Sequence, residues 1–309
     1  MPSVLITDDV SPVLIAGFEQ KGWIVEYVPN ITRSEVIAMI AAYEGLIINS
    51  KIICDNKLLS KAVKLRWIGR LGSGMEVIDT VICNEKNIRY FNSPDGNAQA
   101  VAEHALGLLL SLLRNIPKSN GEVKNGAWIR ESNRGEELGG KTVGIIGFGH
   151  TGSTFAKLLS GFDVKVLAHD KYKKGFGVNG IKEASLDAIF DAADVLSLHL
   201  PLTSETTHYV NENFLAQFRK SIFLINTSRG KVVETAILDK NIISGVLLGV
   251  ALDVLENEKF DTYSIVETAI FENLSNLPNV IFTPHIAGWT HQSKIKIAES
   301  LLRQLAPLL

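Results

Sequence analysis

The stretch from Thr142 to Asp170 constrains the fold of this chain most. It runs Thr-Val-Gly-Ile-Ile-Gly-Phe-Gly-His-Thr-Gly, continues Ser-Thr-Phe-Ala-Lys-Leu-Leu, and later closes with Val-Lys-Val-Leu-Ala-His-Asp. Val143 to Ile146 is a short β-branched run that suits a buried strand. Gly147, Gly149 and Gly152 follow with G-x-G-x-x-G spacing. The first allows a tight turn, the second lets backbone approach a pyrophosphate, and the third lets the next helix pack close to the strand. The pattern predicts a helix running on from Ser153, its N-terminal amides facing phosphates. A second strand, Val164 to Ala168, then leads to Asp170. A glycine-rich turn alone is common and can be purely structural. Strand, glycines, helix, strand and terminal acid in this order point to a dinucleotide site. The Asp170 carboxylate can accept both ribose hydroxyls and repels a 2′-phosphate, which favours NAD over NADP. Lys171, Lys173 and Lys174 read as a solvated basic turn.

With 309 residues the chain has room for two domains with sizeable cores. A net charge of −2 leaves no basic surplus to offset phosphates, which argues against a dedicated nucleic-acid binder. Cys54 and Cys83 make no metal or redox spacing, so no metal is expected and a reducing compartment is the default. The N-terminus lacks a basic region ahead of its short apolar run, and no apolar run is long enough to span a membrane. A cytoplasmic location is the expectation.

Taken in order, Val4 to Ile6, Trp23 to Val28, Leu46 to Ile48 and Leu65 to Leu71 read as strands. Helices are expected over Val13 to Gln20, over Glu35 to Tyr43 with Ser34 as cap, and over Asp55 to Val63. Strands alternating with helices imply the α/β class, with a parallel sheet covered on its faces. The Gly72-Ser73-Gly74 turn exposes amides at a strand end, where such sheets bind ligands. Asn92 to Asn97 is a cluster of turn formers and a natural boundary. A long helix, Ala98 to Arg114, is apolar on most faces and should be buried between domains or subunits. Glu103 and His104 near its start can be site groups, although a structural hydrogen-bonding role suits both better. Pro117 to Glu137 reads as a surface loop or short helix anchored by packing of Trp128. Beyond Asp170, strands are expected over Val195 to Leu200, Ser221 to Asn226, Leu247 to Ala251 and Val280 to Thr283. Helices fit Leu186 to Ala193, Asn211 to Phe218, Glu234 to Ser244 and an amphipathic tail from Ser293.

Ligands in an open parallel sheet meet the carboxyl ends of its strands. Arg229, Asp253, Glu258 and His285 lie at or just past such ends. Arginine suits a carboxylate because its fork binds two oxygens. Histidine suits proton transfer near neutral pH, and a neighbouring carboxylate favours its imidazolium form. Singly, Arg229 can be an ion-pair partner, Glu258 a solvated acid and His285 a satisfied loop histidine. Placed after successive strands, they form a candidate site.

Five ordered motifs resemble the D-isomer-specific 2-hydroxyacid dehydrogenase family over nearly the whole chain. They are Gly147 to Gly152, His199-Leu200-Pro201-Leu202-Thr203, Asn226-Thr227-Ser228-Arg229-Gly230, Ala251 to Glu258, and Thr283-Pro284-His285-Ile286-Ala287-Gly288. The resemblance implies two Rossmann-like, doubly wound parallel-sheet domains with a cleft between them. Residues 1–95 with 289–309 would form a discontinuous substrate domain, and 96–288 an NAD-binding domain. It implies that Arg229 binds the substrate carboxylate and keto oxygen, that His285 is the acid–base, and that Glu258, not Glu256, pairs with it. Asp253 would hold the nicotinamide carboxamide. His150 and Thr151 would meet the pyrophosphate, and Leu200, Pro201, Thr227, Ser228 and Gly288 would complete the cofactor surface. The long helix and following loop would build a homodimer.

Within the family the chain most resembles the D-3-phosphoglycerate dehydrogenase branch, through Gly69 to Gly74, Asn92 to Asn97 with Val101-Ala102-Glu103, and Trp128-Ile129-Arg130. The implied contacts to a small anionic 2-hydroxy or 2-keto acid are Ser73 and Gly74, with Ser50 and Asn97. The implied reaction joins 3-phosphoglycerate and 3-phosphohydroxypyruvate in serine biosynthesis, with glyoxylate/hydroxypyruvate or D-lactate chemistry as the alternative. A dinucleotide-sensing binding protein or corepressor is the reading from a different class. Three departures stand out. The position before Ser50, often arginine in such enzymes, is Asn49. Lys259 replaces a common proline, and the segment to Leu277 is long. No C-terminal regulatory domain is expected, nor feedback by serine through one.

Overall fold

Apolar strands alternating with capped helices build both halves of the chain, in a computed structural model that describes residues 1–178 and 180–309. The first unit comprises Met1–Ala98 and Trp289–Leu309. Its strands are Ser3–Ile6 (β1), Ile24–Tyr27 (β2), Gly45–Ile48 (β3), Trp67–Arg70 (β4) and Arg89–Phe91 (β5). They pair in parallel in the order β2-β1-β3-β4-β5. Parallel neighbours need crossovers, and the helices Pro12–Glu19, Arg33–Met39, Asn56–Leu59 and Thr80–Glu85 supply them. Ser11, Thr32, Asp55 and Asp79 start these helices, each side chain accepting a backbone amide of the first turn. Val4, Ile6, Leu46, Ile47, Ile48 and Ile68 are fully buried, as central strands covered on both faces require. Strand order reverses between β1 and β3, so Thr7-Asp8 and Asn49-Ser50 sit at the switch point. The tail helix His291–Leu305 belongs to this unit. Its Leu301 and Leu305 join Phe18, Trp23 and Trp67 in one core cluster, and Arg303 donates to Asp95 at 2.8 Å.

The second unit comprises Gln99–Gly288. Its strands are Thr142–Ile146 (β6), Lys165–His169 (β7), Ile181–Glu183 (β8), Val195–Leu198 (β9), Ile222–Asn226 (β10), Leu247–Leu252 (β11) and Val280–Phe282 (β12). The order β12-β11-β10-β9-β6-β7-β8 puts the glycine-turn strand β6 inside the sheet, at the switch point with the central strand β9. One face is covered by the long helix Ala98–Leu113 and by His150–Leu158. Ala102, Ala105 and Leu109 are fully buried there against Val143, Ile145 and Ile225. The long helix is thus a core element of this unit, which explains its apolar faces. The other face is closed by a cluster that includes Ile189, Leu215, Leu238 and Leu274.

Several expectations are corrected. Thr32, not Ser34, caps the second helix, because Glu35 reaches back to the Thr32 amide at 2.8 Å and completes a capping box. The helix expected over Asp55 to Val63 is one turn, Asn56–Leu59. The glycine-turn helix starts at His150, not Ser153, since Gly149 itself occupies the cap. Trp128 is 81% exposed, so it is not the packing anchor expected for its segment. The short strands β5 and β8 and the helices Thr80–Glu85 and Ile265–Ser275 were not anticipated. Both strands lie at sheet edges and lack the apolar runs that mark central ones. Among the described residues no helix is long and apolar enough to cross a membrane. Cys54 and Cys83 are free and buried, and burial pushes their thiols up to about 12 and about 11.

Candidate active site

The site begins where β6 ends. Gly147 turns the chain at φ +92°, and a Cβ there would fall on the His199 carbonyl. A Cβ on Gly152 would fall on the Gly147 carbonyl oxygen, so helix and strand approach only because both residues are glycine. Gly149 differs: nothing lies within 4 Å of where its Cβ would be. The turn therefore leaves an open cradle at the start of the His150–Leu158 helix, with His150 and Thr151 in its first turn. The first amides of a helix have no intrahelical acceptor, and a pyrophosphate suits them.

Asp170 closes this turn from the end of β7. One carboxylate oxygen accepts the Phe148 amide at 2.8 Å, and the other accepts the Tyr172 and Lys173 amides at 2.9 Å. Burial raises its pKa, but the three amides outweigh burial and hold it below the usual carboxylate range. An ionised acid here fits the ribose of NAD and disfavours a 2′-phosphate. Lys173 also serves the turn, donating to the Phe148 carbonyl at 3.0 Å. Lys171 pairs with Glu205 in a largely exposed bridge. Below the turn, His199 is 7% exposed, and its Nε2 lies 2.9 Å from the Ser197 hydroxyl. Burial pushes its pKa down to about 4, so the imidazole is neutral at physiological pH. Leu200 and Pro201 follow it, the Pro201 carbonyl accepting the Thr206 hydroxyl at 2.7 Å.

Arg229 leaves the end of β10 through an asparagine turn. Asn226 accepts the Ser228 amide at 3.0 Å and donates to the Arg229 carbonyl at 3.0 Å. Thr227 and Ser228 are buried beneath this turn. Gly230 lies against the Leu255 carbonyl with no room for a Cβ, which ties the Arg229 turn to the segment carrying both acids. Those acids divide their tasks. Glu256 accepts the Thr235 amide at 2.7 Å and meets His208 Nε2 at 2.6 Å. Glu258 faces His285, whose Nδ1 lies 2.9 and 3.0 Å from its two oxygens. An ionised carboxylate only accepts, so Nδ1 carries the proton and Nε2 is left for a ligand. Both side chains are about half exposed, open to such a ligand.

Asp253, 1% exposed, holds the loop that presents His285. Its carbonyl accepts the His285 amide at 2.7 Å, and its carboxylate accepts the Ile286 and Ala287 amides at 2.9 and 2.8 Å. Burial raises its pKa, while His104, Thr283 and the two amides outweigh burial and keep it low. Arg229, Asp253, Glu258, His285 and the glycine turn thus lie at the carboxyl edge of one sheet, and Gly288 ends this unit. Ser50, Ser73, Gly74 and Asn97 belong to the first unit. Ser50 follows β3, and Ser73 and Gly74 follow β4. The Ser73 carbonyl accepts Asn92 Nδ2 at 2.6 Å, and Asn97 Oδ1 is buried without a partner. Thr283, Lys173 and Gly230 did not stand out as site groups in the sequence. The signal for Thr283 and Gly230 is their place inside the Thr-Pro-His and Ser-Arg-Gly motifs, and that for Lys173 is the basic turn after Asp170.

The family model for the NAD-binding domain of D-isomer-specific 2-hydroxyacid dehydrogenases matches residues 106–287, more than half of the chain. The chain belongs to this family. It is 32% identical over 296 residues to D-3-phosphoglycerate dehydrogenase of Archaeoglobus fulgidus, covering 95% of this chain and 55% of that one. It is 31% identical over 276 residues to hydroxypyruvate reductase of Thermotoga maritima, covering 89% and 88%. The solved D-lactate dehydrogenase of Aquifex aeolicus, complexed with NAD and lactic acid, superposes with a TM-score of 0.83 at 28% identity, covering 99% and 95%. The chain spans about half the length of the curated phosphoglycerate dehydrogenases it matches. NAD is the cofactor of the family's domain, and the open space at Gly149 and the ionised Asp170 fit it.

Two predictions follow from this geometry. Gly149→Ala should keep the melting temperature while weakening NADH binding about tenfold, or about 1.4 kcal/mol. Gly152→Ala should instead lower stability by about 1–3 kcal/mol through overpacking. Fluorescence titration and thermal melts separate the two, and equal melting losses would refute the open cradle. His199 sets a pH signature. Its folded pKa lies below the unfolded value of about 6.5, so its contribution is complete above that pH and lost as pH falls towards about 4. The loss is on the order of 3 kcal/mol. His199→Asn should flatten the fall in melting temperature between pH 7.5 and 4.5; an unchanged slope would place the effect elsewhere.

Proposed function

We propose that the chain is an NAD-dependent oxidoreductase of 2-hydroxy acids, interconverting the C2 hydroxyl and the C2 ketone. The observation that carries this reading is the His285–Glu258 pair, with Nδ1 held on the carboxylate and Nε2 left for a substrate oxygen. A dinucleotide held by its pyrophosphate at the glycine turn would supply or take the hydride through its nicotinamide. His285 gives a proton to the C2 oxygen in reduction and removes it in oxidation. Glu258 stabilises the imidazolium that each cycle requires. Arg229 holds the substrate carboxylate and keto oxygen with its fork, orienting C2. Asp253 Oδ2, bonded to the Ala287 amide, has acceptor capacity left for a carboxamide donor. Leu200, Pro201, Thr227, Ser228 and Gly288 line the cofactor in this reading.

The preferred substrate pair is 3-phosphoglycerate and 3-phosphohydroxypyruvate, which would place the chain in serine synthesis. Relatives named D-3-phosphoglycerate dehydrogenase, 30–32% identical, support it. Ser50, Ser73, Gly74 and Asn97 would contact the substrate. A second reading, reduction of hydroxypyruvate or glyoxylate, has one specific observation in its favour. The cation beside Ser50, Lys51, turns back to the Pro29 carbonyl, and Asn49, uncharged, donates its backbone N–H to Asp8 at 2.9 Å. Neither supplies the cationic anchor that a phosphate favours. A homodimer is part of the proposal, supported by the exposure of Ile116, Val123, Trp128 and Ile129 on and after one helix.

Initial rates of NADH oxidation with 3-phosphohydroxypyruvate, hydroxypyruvate, glyoxylate and pyruvate test the substrate. A large kcat/KM advantage for the phosphorylated acid supports the first reading, and preference for an unphosphorylated one supports the second. His285→Ala should lower kcat by about 10²–10⁴-fold while NADH binding stays near wild type. Silence of the wild type on all four would favour a dinucleotide-sensing role. Light scattering should give twice the chain mass, and Trp128→Glu should give monomers; a monomeric wild type would refute the dimer.

A further inference from the structure

The long helix Ala98–Leu113 sends one polar group towards the His285 loop. His104 Nε2 lies 2.9 Å from the Thr283 hydroxyl and 3.4 Å from Asp253 Oδ1. The Thr283 hydroxyl lies 2.6 Å from the same Asp253 oxygen. Elementary chemistry fixes the directions of these bonds. An ionised Asp253 only accepts, so Thr283 spends its single proton on Asp253. The hydroxyl then offers only lone pairs to His104, so His104 Nε2 carries a proton. The result is a directed chain from imidazole N–H to hydroxyl to carboxylate.

That carboxylate also takes the Ile286 and Ala287 amides, and the Asp253 carbonyl takes the His285 amide. Three successive amides converge on one residue, which explains how His285 is held at φ +55°. Left-handed backbone at a residue with a side chain costs on the order of 1–2 kcal/mol and persists only where surroundings over-determine it. The geometry points to His104, acting through Thr283, as a positioning residue that fixes Asp253 and so the turn presenting the His285 imidazole. This inference rests on the dehydrogenase reading with His285 as the acid–base group. His104 touches neither substrate nor nicotinamide in this account. A merely structural histidine would affect folding without any selective effect on residues 285–287.

The test uses the full chain. His104→Phe and Thr283→Val remove the donors, while His104→Gln keeps an N–H at similar reach. Leu196→Ala, a fully buried core position, supplies a control with a general loss of stability. In His104→Phe and Thr283→Val, amide exchange at Ile286 and Ala287 should accelerate about tenfold more than in the control. Their kcat should fall about tenfold to a hundredfold, with the Kd for NADH within about threefold of wild type. His104→Gln should recover most of both. The double variant should be no worse than Thr283→Val alone, because both groups act along one chain. Unchanged relative exchange at 286 and 287 in both variants, or kcat unchanged beside accelerated exchange, would overturn the positioning role. Wild-type silence on every 2-keto acid, with the exchange pattern intact, would instead overturn the dehydrogenase reading.

Discussion

A buried aspartate that gathers three consecutive backbone amides, two on its carboxylate and one on its carbonyl, is the interaction on which the rest of the site depends. Asp253 follows the last residue of β11 and is 1% exposed. A buried charge is costly unless it is paired and hydrogen-bonded. Here donors come from the very loop that must be shaped, with Thr283 adding another. The cost of burying the charge and the strain of His285 at φ +55° are therefore offset by the same set of bonds. Proline at 284 removes one backbone donor from the segment and restricts the residue before it. The loop is left with few ways to satisfy its polar groups other than the one observed.

The same economy governs the cofactor side. At the end of β7, Asp170 collects amides from Phe148, Tyr172 and Lys173. The sheet thus ends in two loops shaped by an aspartate that accepts backbone donors. Both acids lie at the carboxyl edge, just past β7 and β11, on either side of β6. Neutral His199 underlies the glycine turn, its backbone carbonyl beside Gly147 and its ring 5.4 Å from that of Phe155. A charged imidazole in that position would be desolvated with no counter-ion among the described residues, so burial drives its pKa down to about 4.

Much of this was legible in the residue order because strand ends are. A parallel sheet delivers its carboxyl edge to ligands, so Arg229, Asp253, Glu258 and His285 could be picked from strand predictions alone. The choice of Glu258 over Glu256 came from resemblance, and the geometry gives it a physical meaning. Glu256 is occupied by Thr235 and His208, whereas Glu258 faces His285. Element ends were less legible. The helix after Gly149 begins three residues earlier than expected, because a glycine with no side-chain cap can still start a helix. Thr283 stands in the motif that leads to His285, but its role was not legible, because a hydroxyl at a strand end becomes a relay only when a distant helix brings an imidazole to it. The Ser264/Glu267 capping box of the helix Ile265–Ser275 could be read in principle, but the polar segment before it obscured the helix.

That segment answers a further question, why Glu258 is held in a place that is half exposed. Asn257 beside it donates to Glu267 at 3.1 Å and accepts the Lys259 amide at 3.0 Å, while its carbonyl takes the Tyr263 hydroxyl at 2.9 Å. The rings of Phe260, Tyr263, Phe271 and Phe282 meet edge-on or tilted against one another, joining this segment to β12, the strand that leads to His285. On the other side, Gly230 and the His208–Glu256 pair bind the same segment to the Arg229 turn. Glu258 therefore sits between two braced neighbours. A carboxylate with water on one side would ordinarily sample several rotamers at little cost. Fixing the backbone on both flanks limits that freedom, so the proton on His285 Nδ1 keeps one partner. Aromatic packing and the bonds of Asn257 thus orient the acid through the segment that follows it.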